Sequence, residues 1–359
     1  MKNLNLKSWL LLLFATALFT ACDKNDDPDP VVVEPSESYI INYGGYTGDK
    51  STITAYNKET GAVTNNYYAG VNGVSMISNA QHAVSYNGNI YFMGNSADQI
   101  FWVDAETFEQ TENAITIDIV KPRFGVANGN YLYVSCWGGE IWNDESVSYI
   151  AKINITSKEV EKIALPGGAE GLEVVNNKLY AALNYKDSVA VIDLSTEEIE
   201  YIETPAVCSY FLKDKDDNLY VTLLNTYSDP STETGLGYIN TSNNTLDAVY
   251  DLSGVSSSYI NVMTANDDFS KIYVVTEGAN WGDPGALAVF DVASKTFDEN
   301  KFLDSVAGIN GVAYYNDRVM VFIGETVTGN GEAQLYLPDG TEESSFETGI
   351  SPFMLLTVE

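Results

Sequence analysis

The sequence predicts an all-β fold, a seven-bladed β-propeller with four antiparallel strands per blade, from three observations. Short apolar runs come in groups of four, the group recurs seven times, and no segment keeps a helical period. The third run of each group ends in Asp or Asn: Asn57, Asp104, Asn154, Asp193, Asn240, Asp291 and Asp339. The intervals are 47, 50, 39, 47, 51 and 48 residues, the length of one four-stranded blade. Residues 39–359 number 321 and are used up by seven such units, which leaves no second domain.

The elements follow in order within each unit. Second runs are Tyr39–Asn42, Ile90–Met93, Tyr131–Val134, Lys178–Ala181, Asn218–Val221, Lys271–Val274 and Arg318–Val321. They are β-branched or aromatic, as strands prefer. First and second runs are separated by Asn87-Gly88-Asn89, Asn128-Gly129-Asn130, Asn176-Asn177 and Asp216-Asp217-Asn218. These residues tolerate positive φ and suit tight hairpins. The repeat opens on a second run, Tyr39–Tyr43, and closes on a first run, Pro352–Val358. The carboxyl-terminal run is therefore expected to be the innermost strand of the first blade, hiding two open edges.

Ahead of the repeats, Lys2 and Lys7 precede an apolar run from Trp9 to Phe19, then Thr20, Ala21 and Cys22. This is the layout of a secretory signal, and the run is too short for a good spanning helix. The cysteine after a small pair resembles a bacterial lipobox, with Phe19 where leucine is usual. The resemblance implies a lipoprotein signal peptide over residues 1–21 and lipidation of Cys22. Residues 22–38 are rich in acid and proline and read as an extended tether. The stretch from Asp23 to Pro30 resembles the export signal of Bacteroidetes surface lipoproteins. Together these imply an outer-membrane, lipid-anchored protein exposed at the cell surface.

With 18 Lys+Arg against 50 Asp+Glu, the formal net charge is -32. That excludes nucleic acid as a partner, since phosphate backbones need a basic footprint. It also argues against a basic patch on anionic lipid. Cys136 and Cys208 show no metal-ligand spacing and fall in non-adjacent repeats, so buried free thiols are expected.

In a propeller the loops from second to third strand share one face with the entries to each next blade. Those loops carry Tyr43, Tyr46, Trp137, Trp142, Tyr185, Tyr227 and Trp281. Large planar side chains around one face suit a big, partly apolar ligand, or sugars. Entry segments aim Gln81, His82, Arg123, Glu170, Tyr210, Tyr259, Asn261, Asn310 and Phe353 at the channel. With one cation in this set, a neutral amide-rich ligand fits better than a nucleotide phosphate. His82 is the chain's one histidine. A serine-histidine-acid site would depend on it, and no nucleophile-elbow pattern is present. Glu170, Asn261 and Asn310 offer the oxygen donors that calcium favours, the type of ion set that lactonase-type propellers place in the channel. No cofactor is implied.

The stretch Asn42–Tyr46 leading to Ser51–Asn57, the run Lys178–Tyr180 through Val189–Asp193, and Pro122-Arg123 resemble the YncE-like, YVTN-repeat propellers. The resemblance covers residues 39–359 and is closest to a Bacteroidetes surface-lipoprotein branch. That branch includes BtuG-type proteins, which capture cobalamin for a TonB-dependent transporter. It implies a non-enzymatic receptor for a small nutrient, with cobalamin the leading ligand. Two other readings stay open: an adhesion or scaffold propeller binding a glycan or protein, and a metal-dependent lactonase-type hydrolase.

Overall fold

The seven Asp or Asn residues at the strand ends set the local geometry. Asn57 Oδ1 accepts the N–H groups of Glu59 and Thr60 at 3.0 and 2.9 Å. Asp104 does the same for Glu106 and Thr107, Asn154 for Thr156 and Ser157, and Asp193 for Ser195 and Thr196. Such side chains reproduce a turn that the backbone would otherwise make alone. The residue four positions on donates its N–H back to the strand-end carbonyl at Gly61, Phe108, Lys158, Glu197 and Lys295. All five have positive φ. The turns between first and second strands include Asn87-Gly88, Asn176-Asn177 and Asn316-Asp317, with both residues at positive φ. That is the geometry that matches the twist of paired strands.

The structure is a computed structural model, and it describes residues 36–45, 50–77, 79–110, 112–226, 233–257, 261–278, 282–326 and 328–358. The expected signal peptide, Cys22 and most of the tether lie outside the described residues, as do Tyr46, Tyr227, Tyr259 and Trp281. Seven antiparallel sheets form seven blades. Blade 1 joins the terminal strand Pro352–Thr357 to Ser38–Asn42, Thr52–Tyr56 and Val63–Thr64. Ser38 faces Thr357, Tyr39 faces Leu356 and Ile41 faces Met354, so the carboxyl-terminal strand closes the first blade as expected. The innermost strands of blades 2 to 7 are Ala80–Tyr86, Pro122–Asn128, Ala169–Val175, Val207–Lys213, Met263–Ala265 and Ile309–Tyr315. Each touches the innermost strand of the next blade, and the last touches Pro352–Thr357, so the ring is closed. At two places this approach leaves no room for a side chain. A Cβ on Gly171 would stand 2.5 Å from the Ser209 carbonyl oxygen, and one on Gly311 2.4 Å from that of Phe353.

The core lies between blade faces. Val191 and Val221 pack between blades 4 and 5, and Met93 and Val134 between blades 2 and 3. Burying each such side chain stabilises by about 1.5–3 kcal/mol. Cys136 and Cys208 are buried free thiols in blades 3 and 5.

Three details depart from seven identical units. A helix, Tyr67–Asn72, follows blade 1, with Tyr67 packed on Tyr39 and Phe108. In blade 2 the fourth strand shrinks to one bridge between Ile100 and Ile115. The helix explains this: Asn72 accepts the Gln110 N–H at 2.8 Å, and Tyr68 donates to the Gln110 side chain, drawing the segment off the sheet. In blade 6 the outer position is split between Thr296–Phe297 and Leu303–Val306, which pair with opposite ends of Gly285–Asp291.

Candidate functional site

A repeated irregularity in the inner strands builds the site. Among the described residues, the inner strands of blades 1 to 5 and 7 slip register close to their entries. The extra residue of a bulge leaves the ladder and re-aims its side chain. The residues at these slips are Gln81, Arg123 with Phe124, Glu170 with Gly171, Ser209 with Tyr210, Asn310, and Phe353. In five blades the side chain concerned is the second residue of its strand. Phe124 of blade 3 meets Tyr210 of blade 5 edge-on at 6.1 Å, skipping blade 4. Only side chains turned toward the ring axis can make that contact.

The structure brings Gln81, Arg123, Trp137, Glu170 and Tyr185 into one cluster across blades 2, 3 and 4. Arg123 Nε donates to both Glu170 oxygens at 3.0 Å, and Nη2 lies 2.9 Å from Oε1. Nη1 donates to Gln81 Oε1 at 3.2 Å. The guanidinium carbon stands 4.1 Å from the Trp137 ring centroid, and Tyr185 meets Trp137 edge-on at 5.8 Å. Arg123 and Glu170 are 5% and 8% exposed. Burial raises the Glu170 carboxyl above its ordinary range, against the pull of Arg123. Trp137 and Tyr185 are half-buried and are held by loop pairing: the Trp137 N–H donates to the Lys121 carbonyl and that of Tyr185 to Gly167.

Among the described residues, the other expected ones lie outside this cluster, His82 next to it through Phe124. His82 is buried, its ring stacked on Phe124 at 3.7 Å, with Nδ1 accepting the Gly125 N–H at 3.3 Å. Burial lowers its pKa to about 3, so it is neutral at physiological pH. Trp142 is 55% exposed on the same loop as Trp137, with Lys121 Nζ 4.7 Å from its ring. Tyr43 meets Phe353 edge-on at blade 1. Phe124 and Ser135 are additions that the sequence reading lacks. Ser135 Oγ donates to the Glu170 carbonyl at 2.7 Å and accepts the Phe124 N–H at 3.0 Å, stapling the bulges of blades 3 and 4. The signal for Phe124 was its place beside Arg123; Ser135 carried none.

Two buried polar atoms of this cluster, Gln81 Nε2 and Trp137 Nε1, have no hydrogen-bond partner, nor does Asn261 Oδ1 ahead of the inner strand of blade 6. Among the described residues no group of three His, Cys, Asp or Glu side chains is placed to hold a metal. Glu170, one of the oxygen donors that a lactonase-type calcium site would draw on, is engaged by Arg123. A surface groove of about 540 Å³ on the outer strands of blade 7, lined by Glu325, Glu332 and Glu347 among others, lies away from the ring axis. Chemically the described residues offer aromatic walls, neutral donors and acceptors, a cation, Arg123, paired with Glu170, and a second cation, Lys121, against Trp142.

Solved structures share this architecture. The periplasmic gluconolactonase of Pseudomonas aeruginosa matches with a TM-score of 0.64 at 12% identity, over 90% of this chain and 99% of that one. A proposed 6-phosphogluconolactonase from Bacteroides uniformis matches at 0.63 and 11%, over 90% and 100%. Hydrazine synthase of Kuenenia stuttgartiensis matches at 0.60 and 14%, over 76% and 88%. At such identities the likeness is one of fold alone. No curated protein matches the sequence. A family model does, over residues 37–280, and the chain belongs to that family, the domain of unknown function DUF5074.

Proposed function

We propose that the protein is a non-enzymatic receptor, lipid-anchored at the cell surface through Cys22, that captures a small nutrient at the mouth of the ring. Cobalamin is the leading ligand, and a TonB-dependent outer-membrane transporter is the partner that receives it. The observation that carries this reading is the bulge ring. Six blades slip register where their inner strands begin, Phe124 and Tyr210 meet across the intervening blade, and Trp137 and Tyr185 lie beside Arg123. Convergent neutral polar groups against aromatic walls are what a large amide-bearing ligand needs. The lipobox and acidic tether supply the address, and the likeness to the YncE-like surface branch supplies the ligand class.

Calorimetric titration of cobalamin into residues 23–359 tests it. One-to-one saturable binding is expected, weakened tenfold or more, about 1.4 kcal/mol, by Trp137→Ala with Tyr185→Ala. No heat and no thermal shift at high micromolar cobalamin would remove this ligand. A glycan panel and a pull-down from outer-membrane extract would then decide between a sugar and a protein as the bound partner. The lactonase reading draws on the fold shared with the Pseudomonas gluconolactonase. It requires chelator-sensitive lactone hydrolysis, and its best carboxylate, Glu170, is already engaged by Arg123.

A further inference from the structure

The bulge residues of the mouth carry one cation, Arg123, and one anion, Glu170. The guanidinium is engaged through Nε, Nη1 and Nη2 and on one face. Its Nε edge faces both Glu170 oxygens, Nη2 adds a contact at 2.9 Å, Nη1 reaches Gln81, and one face lies on Trp137. Both residues of the pair are buried. A ligand anion that took Arg123 would leave the Glu170 carboxylate buried and unpaired, and that state is strongly unfavourable. The six buried polar atoms without partners among the described residues are all uncharged, and two of them, the Gln81 and Trp137 N–H donors, are on side chains that touch Arg123.

We infer that Glu170 sets the ligand class of the mouth: by closing on Arg123 it withholds the guanidinium from anions, so that the mouth takes an uncharged ligand bearing amide or hydroxyl groups. The inference rests on the proposal that the mouth is the binding site. Glu170 is thus a specificity-determining residue, and Arg123 is a brace for Trp137 with its charge already satisfied. Removing the carboxylate turns a neutral site into an anion site, because a buried unpaired arginine recruits whatever anion can reach it.

The test uses sodium sulfate and inorganic phosphate as probes, with sodium chloride at equal ionic strength as control. Residues 23–359 are read by calorimetry and thermal unfolding. The unsubstituted protein should bind neither anion saturably, and its Tm should follow ionic strength alone. Glu170→Gln should unfold at lower temperature, gain saturable sulfate binding at least tenfold above the unsubstituted protein, and recover part of its lost Tm with sulfate. Glu170→Gln combined with Arg123→Gln should lose that gain. If Glu170→Gln does not fold, Glu170→Asp, which keeps the charge but draws it back from Arg123, should show a smaller gain of the same sign. Sulfate binding by the unsubstituted protein that Arg123→Gln abolishes would overturn the inference. So would a folded Glu170 variant that gains no anion binding. Failure of cobalamin to bind bears only on the receptor proposal, since these titrations need no natural ligand.

Discussion

His82 has no other histidine to confuse its titration. Its neutral ring is packed under Phe124, and burial lowers its pKa from 6.5 to about 3. Between those values the unfolded chain binds a proton that the folded chain does not, so stability rises with pH. The contribution is complete above pH 6.5 and is lost as pH falls toward 3. Urea unfolding at pH 7.5 and pH 5 should show the unsubstituted protein losing about 2 kcal/mol more than His82→Gln. The difference between the two proteins cancels the carboxyls, including Glu170 and Glu173, whose raised values slope the other way. Equal losses would contradict the buried neutral ring. Cys136 and Cys208 are held at about 12 by burial, so a thiol reagent at pH 8 should label neither until the protein unfolds. At this scale the sequence shows which residues are present at the mouth but not how they pair. Arg123 and Glu170 stand 47 positions apart, and their shared register, the second residue of successive inner strands, emerges only once the bulges are located.

Turns and strands were the most legible level, because their signals are local. An Asp or Asn that accepts two N–H groups, and hairpins built on Asn-Gly, report backbone geometry without reference to the rest of the chain. The same logic predicts a gain. Lys295 closes its turn at φ +59° while exposed, a conformation that favours glycine. Lys295→Gly should raise stability by about 1 kcal/mol in chemical unfolding, and a loss of that size would contradict the left-handed turn. What depended on distant packing was not legible. The helix Tyr67–Asn72 exists because Tyr67 fills space beside Tyr39 and Phe108, and the fourth strand of blade 2 gives way to it. The closing strand is the element on which the ring depends. Phe353, Met354 and Leu356 are buried in it, and truncating Leu356 to Ala should cost about 2–5 kcal/mol. Deleting residues 350–359 should lower the melting temperature of the whole ring; an unchanged melt would reject the closure.

For the molecule as a whole, closure and function are linked by the inner strands. They are held close enough that glycine is required at Gly171 and Gly311, and within that ring the bulges of blades 3 and 5 bring Phe124 and Tyr210 together. The blades thus supply a rigid frame, and the loops that carry Trp137 and Tyr185 are pinned to it through backbone hydrogen bonds. A preorganised mouth loses little side-chain freedom on binding. The formal charge of -32 repels anions in general, and Arg123, the cation of the bulge ring, is paired with Glu170. The measurement that bears most directly on the mouth as a binding site is the cobalamin titration of residues 23–359, with Trp137→Ala and Tyr185→Ala beside it. Saturable one-to-one binding that the substitutions weaken tenfold or more, in a protein whose melting is otherwise preserved, is the predicted result. Binding that ignores both substitutions would place the site elsewhere on the ring, and no binding at all would contradict the receptor for this ligand.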